Sequence, residues 1–286
     1  MKQSKKPLSA RGETRRSFLK KAAGVAAATA TFSGASTAVS ATKPESGGGV
    51  VSGRARLEGR PPPEIPVDLS NFPLVQKVAP PGLTTHHYIV SPDGGLANVF
   101  VYVLHGLEGR TFPIPDEQPI LDQHNAGFHP YVMGLQVGQI FRIRNSEPYL
   151  ETVKATPKVN EGFLIYQPIT GMVELKRFTK PEVLVKIKCE LHPWEFAYIG
   201  VVPHPFFAVT DTEGRYRLPP GLPAGRYTIA GVHPKAGVRT AEIELAENGA
   251  ATADFTFHPH KRRRLPPPGT PGTPPPAPIP FAPKQQ

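Results

Sequence analysis

Cysteine is almost missing from this chain: Cys189 is the single cysteine among 286 residues. A lone thiol has no partner for an intramolecular disulfide, so a disulfide framework is excluded, and packing or chemistry has to account for the residue. Long apolar runs are missing as well. The weakly apolar stretch at residues 22–39 is too rich in Ala, Thr, Gly and Ser for a membrane-spanning helix, which needs about 20 strongly apolar residues.

The sequence also lacks the local motifs of common enzymes. It has no Gly-x-Ser-x-Gly elbow, no glycine-rich phosphate loop between a strand and a helix, and no His-Glu-x-x-His run. Cys189 and His192 are close together on one segment, a spacing that seldom places a sulfur and an imidazole for nucleophilic catalysis. We therefore predict that the chain is not an enzyme.

The N-terminus has the layout of an export signal. Residues 14–20 read Thr-Arg-Arg-Ser-Phe-Leu-Lys, which resembles the twin-arginine export signal. The weakly apolar stretch follows, and Val-Ser-Ala at residues 39–41 offers small side chains to a signal peptidase. This order predicts that residues 1–41 are a twin-arginine signal peptide. We expect a mature protein without a transmembrane segment, located in the periplasm or cell envelope.

Basic charge is concentrated at the two ends of the chain. The formal net charge is +10 at pH 7, a value that usually indicates an acidic partner such as nucleic acid. Residues 1–41 hold eight of the 33 Lys and Arg, however, and five more follow His260. Residues 42–260 therefore carry 20 basic and 22 acidic side chains. We expect no binding of nucleic acid, and a disordered tail in the basic, Pro-rich residues 259–286.

Short β-branched and aromatic runs dominate the middle of the chain. Residues 99–104, 139–144 and 183–188 are examples, and the last two alternate apolar and polar side chains as half-buried strands do. Turn residues separate the runs, among them Pro-Asp-Gly-Gly at 92–95 and Thr-Glu-Gly at 212–214. Short strands at regular spacing predict an all-β protein built from β-sandwiches.

Three segments look like parts of one module. Residues 206–218, with a hairpin turn at Glu213-Gly214, and residues 221–229, with a Pro-Ala-Gly turn, resemble the carboxypeptidase regulatory-like domain, a prealbumin-like β-sandwich. Residues 49–57 resemble its first strand, so the residues between these segments are predicted to be an insertion. The predicted domains are the regulatory-like sandwich at 47–71 and 203–258, and the inserted sandwich at 72–202.

The insertion carries a second resemblance. The matching stretches are residues 95–102, 121–123, 137–139, 145–148, 189–194, 197–201 and 204–210. Together they resemble exported bacterial proteins that combine a plastocyanin-like (cupredoxin) sandwich with the regulatory-like module, often labelled methylamine utilisation protein-like. The resemblance covers nearly all of residues 47–257. It implies a cupredoxin-like fold for residues 72–202 and copper-based electron transfer as the ancestral role.

The same resemblance implies a metal site with altered ligands. A blue-copper site uses two imidazoles, a thiolate and usually a weak thioether. Cys189 and His192 match the Cys-x-x-His part of the family's ligand loop. Glu195 stands at the thioether position, and Glu151 stands at the first histidine position. The candidate metal ligands are therefore Glu151, Cys189, His192 and Glu195.

Two glutamates in this set leave three interpretations open. In the first, the four side chains form an altered site whose oxygens favour Zn(II) or Cu(II) and disfavour Cu(I), so that fast electron transfer is lost. In the second, the site is dead, Lys154 pairs with a glutamate, and Cys189 and His192 serve packing. In the third, another histidine completes a copper site. The candidates for it are His86, His87, His105, His124 and His129.

The sequence therefore predicts an exported cupredoxin-like protein with a degenerate type 1 copper-like site. It would bind copper, or alternatively zinc, and a copper-loaded form would transfer electrons with a periplasmic redox partner. The alternative is a non-catalytic envelope module that binds a glycan or a protein and holds no metal. Metal content separates the two, because an electron carrier needs a metal and a binding module does not.

Overall fold

The secondary structure is almost entirely β, as predicted. The structure, a computed structural model, describes residues 48–259, so the predicted signal peptide and residues 260–286 of the predicted tail lie outside the described residues. No helix within this range is long and apolar enough to cross a membrane. The elements in chain order are β1 (Val50–Leu57), α1 (Pro73–Gln76), β2 (Phe100–His105), β3 (Ile120–His124), β4 (Gly127–His129), β5 (Val132–Gln136), β6 (Phe141–Asn145), β7 (Glu151–Thr156), β8 (Phe163–Gln167), β9 (Val173–Lys176), β10 (Glu182–Lys188), β11 (Phe196–Val202), β12 (Phe207–Val209), β13 (Arg215–Arg217), β14 (Gly225–His233), β15 (Gly237–Leu245), β16 (Ala250–Thr252) and β17 (Phe255–Phe257).

The strands form four sheets that pair into two sandwiches. The sheet β13-β1-β16, with β17 also beside β1, shares an apolar core with the sheet β12-β2-β14-β15, where Val51 and Ile229 are fully buried. The sheet β5-β11-β10-β7-β8 shares a second core with the sheet β4-β3-β6-β9, where Leu121 and Ile199 are fully buried. We call the first pair the terminal sandwich (β1, β2 and β12–β17) and the second the inserted sandwich (β3–β11).

The insertion begins later in the chain than predicted. Strand β2 pairs with β12 and β14, so Phe100–His105 belongs to the terminal sandwich. The inserted sandwich spans residues 120–202, and the predicted boundary at residue 72 is therefore wrong. A β-branched run predicts a strand but not its neighbours, because strand pairing depends on contacts between residues far apart in the sequence.

The two sandwiches pack against each other through β2 and β11. Side chains of β2 alternate between two cores: Val101 is buried inside the terminal sandwich, whereas Phe100 lies in a cluster with Val202 of β11. The Phe100 ring fills the space above Gly200, where an added Cβ would lie 2.4 Å from the ring. Both faces of these two strands are thus covered, which explains the unbroken apolar run at residues 99–104.

The connection between β1 and β2 reaches across to the inserted sandwich. Within this connection, a loop is closed at its base by backbone hydrogen bonds from Val67 N to Leu83 O and from Thr85 N to Ile65 O, both 2.9 Å long. We call residues 66–84, which include α1, the cap loop. Its apolar side chains pack against an end of the inserted sandwich. This contact consists of Leu69, Phe72, Val75, Ala79 and Leu83 on the cap loop, and Ala126, Tyr149 and Trp194 on the sandwich.

Candidate metal centre

The fold brings the four predicted ligands together at the end of the inserted sandwich that the cap loop covers. Glu151 opens β7, Cys189 follows β10, and His192 and Glu195 lie on the connection from β10 to β11. Because β7 and β10 are antiparallel neighbours, the first residue of one lies beside the end of the other. All four side chains are buried, and their ligand atoms lie within 4.8 Å of one another.

The segment from Cys189 to Glu195 folds as a tight turn. Glu195 N donates to His192 O at 2.9 Å, and Cys189 N donates to Glu195 O at 3.1 Å. This turn places Cys189 Sγ 3.6 Å from His192 Nδ1. On the other side, Cys189 Sγ lies 3.3 Å from Thr152 Oγ1 of β7. The thiol and the imidazole therefore lie side by side in the cluster.

The separations between the ligand atoms fit a tetrahedral ion. His192 Nδ1 lies 3.0 Å from Glu151 Oε1 and 3.4 Å from Glu195 Oε1. Cys189 Sγ donates to Glu151 Oε2 at 3.1 Å. A tetrahedral zinc with bonds of about 2.3 Å to sulfur and about 2.1 Å to nitrogen or oxygen separates its ligand atoms by about 3.4–3.6 Å. Small side-chain adjustments are enough to reach these separations.

Two buried carboxylate oxygens lack a hydrogen-bond donor. Glu151 Oε1 and Glu195 Oε1 are both inaccessible to solvent and have no hydrogen-bond partner among the described residues. The basic group beside both oxygens is His192 Nδ1, one imidazole for two carboxylates, and a cation between the two oxygens would compensate the buried charge more fully. Thiolate, imidazole and carboxylate are all ligands of Zn(II), so the residues present fit a metal ion.

The pKa shifts of the cluster all favour the protonated side chains. Burial, together with the charges of Glu151 and Cys189, raises the pKa of Glu195 well above its usual range. Burial and the Glu151 charge likewise raise the pKa of Cys189. Burial acts to lower the pKa of His192, but its hydrogen bond to Glu151 and the nearby carboxylate charges outweigh burial and raise it. Metal binding must therefore release protons from this cluster.

Gln123 is a fifth member of the cluster that sequence reasoning missed. Its side chain is fully buried. Gln123 Nε2 donates to Glu151 Oε2 at 2.7 Å and to Glu195 Oε2 at 3.3 Å. On β3 it shares a face with Leu121, which lies in the core. A polar residue at a core-facing position of a strand is the signal that could have identified it.

Residues that the other interpretations required lie elsewhere. The dead site had Lys154 paired with a glutamate, and Lys154 Nζ does lie 3.3 Å from a glutamate, Glu190 Oε2, which is not one of the four candidate ligands. The rescued copper site needed a second histidine, but His192 is the single histidine in the metal-ligand cluster found among residues 48–259. Four of the candidates have other neighbours. The rings of His124 and His129 pack against each other with centroids 4.1 Å apart, His105 Nδ1 lies 3.2 Å from Glu108 Oε1, and His87 stacks on Phe196 at 5.4 Å.

Aromatic rings enclose the imidazole of His192. The ring centroids of Tyr149 and Trp194 lie 5.4 Å from that of His192, and the centroid of Phe72, from the cap loop, lies 5.8 Å away. Trp194 Nε1 donates to Ala126 O at 3.2 Å, which holds the indole in place. Only 6 % of the His192 surface remains exposed. The cluster is therefore shielded from water, which strengthens its electrostatic interactions.

Solved structures that are similar to this chain include a copper-containing nitrite reductase, amicyanin and a purple cupredoxin. A Cu-containing nitrite reductase (NirK) from Thermus scotoductus SA-01 is 18% identical over 35% of this chain and 25% of the reductase, with a TM-score of 0.26. An oxidized amicyanin mutant is 12% identical over 35% of this chain and 97% of its own, with a TM-score of 0.27. A purple cupredoxin from Nitrosopumilus maritimus is 21% identical over 30% of this chain and 99% of its own, with a TM-score of 0.25.

The chain thus spans a quarter of the reductase and nearly all of the two smaller proteins. No protein-family model and no curated protein matched. At these identities and TM-scores, the assignment of the metal centre depends on its own residues: a thiol, an imidazole and two glutamates, buried together and held by a glutamine.

Proposed function

We propose that this chain is a cupredoxin-like metal-binding protein that holds Zn(II) or Cu(II) through Glu151, Cys189, His192 and Glu195. The pair of buried carboxylate oxygens without hydrogen-bond donors carries the proposal. In a domain that needed these positions only for packing, apolar side chains would be as stable or more stable than buried carboxylates. One imidazole lies beside both oxygens, so a divalent cation would supply the positive charge that His192 alone does not match.

The ligand set favours divalent ions over Cu(I). Carboxylate oxygens are hard ligands, whereas Cu(I) prefers thiolate and thioether sulfur. The cluster offers one imidazole and no thioether, so cycling between Cu(I) and Cu(II) is disfavoured and electron transfer is the less supported role. A bound ion would supply the positive charge that stabilises the thiolate and both carboxylates in the buried cluster.

From the sequence, we further propose that the protein is exported by the twin-arginine route, acts in the periplasm or cell envelope, and has no enzymatic activity. The paired arginines and the small residues at 39–41 support export. We propose a periplasmic redox partner only for a copper-loaded form of the protein. A glycan or protein partner in the envelope belongs to the alternative, a binding module without metal.

Metal titration of the purified protein tests the proposal. We expect one equivalent of Zn(II) or Cu(II) per chain, measured by elemental analysis after desalting, and loss of that equivalent in Cys189→Ser. Glu190→Gln is the matched control, because Glu190 is an exposed neighbour of Cys189 that pairs with lysines. Absence of stoichiometric binding would favour the metal-free binding module. An intense thiolate-to-copper band that survives redox cycling would support electron transfer as the function.

A further inference from the structure

We propose that Gln123 fixes both glutamates as one-oxygen ligands and thereby makes the centre selective for a four-coordinate ion. This inference rests on the proposed metal site and concerns how that site chooses its metal. Gln123 is a positioning residue in this scheme, since it acts on the metal through Glu151 and Glu195.

The hydrogen bonds of Gln123 distinguish the two oxygens of each carboxylate. Its Nε2 donates to Oε2 of Glu151 and to Oε2 of Glu195, at 2.7 and 3.3 Å. The Oε1 atoms of both glutamates accept no hydrogen bond from Gln123 and lie 3.0 and 3.4 Å from His192 Nδ1. Glu151 Oε2 also faces the cluster, 3.1 Å from Cys189 Sγ and 3.2 Å from His192 Nδ1. Gln123 thus occupies one oxygen of each carboxylate, and the other oxygen of each remains beside the imidazole without a bond to the amide.

A buried amide suits this task better than other side chains. The NH₂ group has two hydrogens, one for each carboxylate, and carries no charge that would cancel the attraction for a cation. The carboxylates also determine the orientation of the amide, because Gln123 Oε1 has no hydrogen-bond partner of its own among the described residues. A flipped amide would place its oxygen against two carboxylates, so the NH₂ group must face them.

One-oxygen binding sets the coordination number. Two monodentate carboxylates, Cys189 Sγ and His192 Nδ1 make four ligands, the number that Zn(II) and Co(II) accept in a tetrahedral site. If both carboxylates bound through two oxygens, the ion would have six ligands, four of them oxygen. Such an oxygen-rich site suits Mn(II) or Ca(II) instead.

Cobalt spectroscopy of the full chain tests the role of Gln123. In the wild type we expect intense visible d–d absorption, which is diagnostic of tetrahedral Co(II), and a thiolate-to-cobalt band in the near ultraviolet. In Gln123→Leu the d–d intensity per bound Co(II) should fall several-fold while the thiolate band stays. Competition between Zn(II) and Mn(II) should show Zn(II) affinity reduced about 10–100-fold, as for losses of other groups that orient metal ligands.

Two further variants make the result decisive. Gln136→Leu is the matched control, because Gln136 is a buried glutamine that donates to backbone oxygens of Phe112 and Pro113; its spectrum should equal that of the wild type. Gln123→Glu keeps the shape and serves if the leucine variant does not fold; it should also lose the tetrahedral spectrum. Wild-type d–d intensity in a folded Gln123 variant overturns this inference alone. A wild type that binds no Co(II) or Zn(II) overturns the proposed function and this inference with it.

Discussion

The two ends of strand β10 bury carboxylates in opposite ways. At the first residue of the strand, Glu182 accepts hydrogen bonds from the backbone N–H groups of Lys158, Val159 and Asn160, at 2.5, 3.1 and 3.1 Å. Burial acts to raise the pKa of Glu182, but these bonds outweigh it and lower the pKa. Beyond the last residue, next to Cys189, the pKa of Glu195 is raised by burial and by neighbouring negative charge.

This difference separates a structural carboxylate from a functional one. Backbone N–H groups stabilise the charged form of Glu182, so its carboxylate needs no ligand to compensate for burial. At the other end the described partners of the Glu151 and Glu195 carboxylates are the side chains of Gln123, Cys189 and His192, and Oε1 of each accepts no hydrogen bond among the described residues. The strand therefore has one end whose carboxylate is fully hydrogen-bonded and one end where, under the proposed function, a cation would stabilise the carboxylates.

The largest expected effect is on the end without backbone donors. Free Zn(II) at a thousandfold excess over its Kd should raise the free energy of unfolding by about 4 kcal/mol, since the ion binds only the folded cluster. Glu195→Gln should lose most of this gain, because it removes a charged ligand, whereas the gain should persist in Glu182→Gln. Urea unfolding with Zn(II) and with a chelator measures it. An equal gain in both variants would contradict the comparison.

The second effect concerns the structural end and should not depend on metal. Glu182→Ala leaves three backbone N–H groups without their acceptor and should reduce the free energy of unfolding by about 3 kcal/mol. We expect the same loss with Zn(II) and with a chelator in urea unfolding. The exposed neighbour Glu161→Ala is the control, with a change within about 0.5 kcal/mol. A loss that appears only in the presence of Zn(II) would show that Glu182 is linked to the metal centre.

The third prediction concerns the cap loop, which covers the cluster of Glu151, Cys189, His192 and Glu195. The described contacts of the cap loop at the cluster are apolar, so we expect it to open without disturbing the strands. Phe72→Ala should speed the labelling of Cys189, the single thiol, by a disulfide reagent about tenfold, equivalent to opening that is easier by about 1.4 kcal/mol. Leu74→Ala is the control, because Leu74 lies on the same loop and is 58% exposed. Equal labelling rates in the two variants would mean that the loop does not control access.

Sequence reasoning predicted what depends on neighbours in the chain. Alternation at residues 139–144 and 183–188 predicted strands, which the structure has as β6 and β10. The match of Cys189 and His192 to a Cys-x-x-His ligand loop implied one shared site, and Cys189 Sγ lies 3.6 Å from His192 Nδ1. Contacts across the fold were not accessible in this way. Gln123 and Glu195 are 72 positions apart, and the cap loop reaches the cluster from a different sandwich, so neither contact leaves a local pattern.

Glu151 and Glu195 were identified from the sequence, but not from a local pattern. No periodicity or spacing pointed to them, and they entered only through the resemblance to cupredoxin-type proteins. The structure places both beside Cys189. Strand β2 illustrates the same limit for the fold: its residues predicted a strand correctly, but its membership in the terminal sandwich follows from pairing with β14, which lies beyond the whole insertion.

The smallest expected effect is the pH dependence that Glu182 contributes. The pKa of Glu182 in the folded protein lies below its ordinary value of 4.5, because the backbone donors favour the charged form. The unfolded chain therefore binds more protons, and the contribution is complete above about pH 4.5 and is lost as the pH falls through the folded pKa. With a chelator present, the wild type should lose stability below pH 4.5 more steeply than Glu182→Gln, measured by urea unfolding at stepwise lower pH. Parallel curves would mean that the three N–H groups do not distinguish the charged carboxylate from a neutral amide.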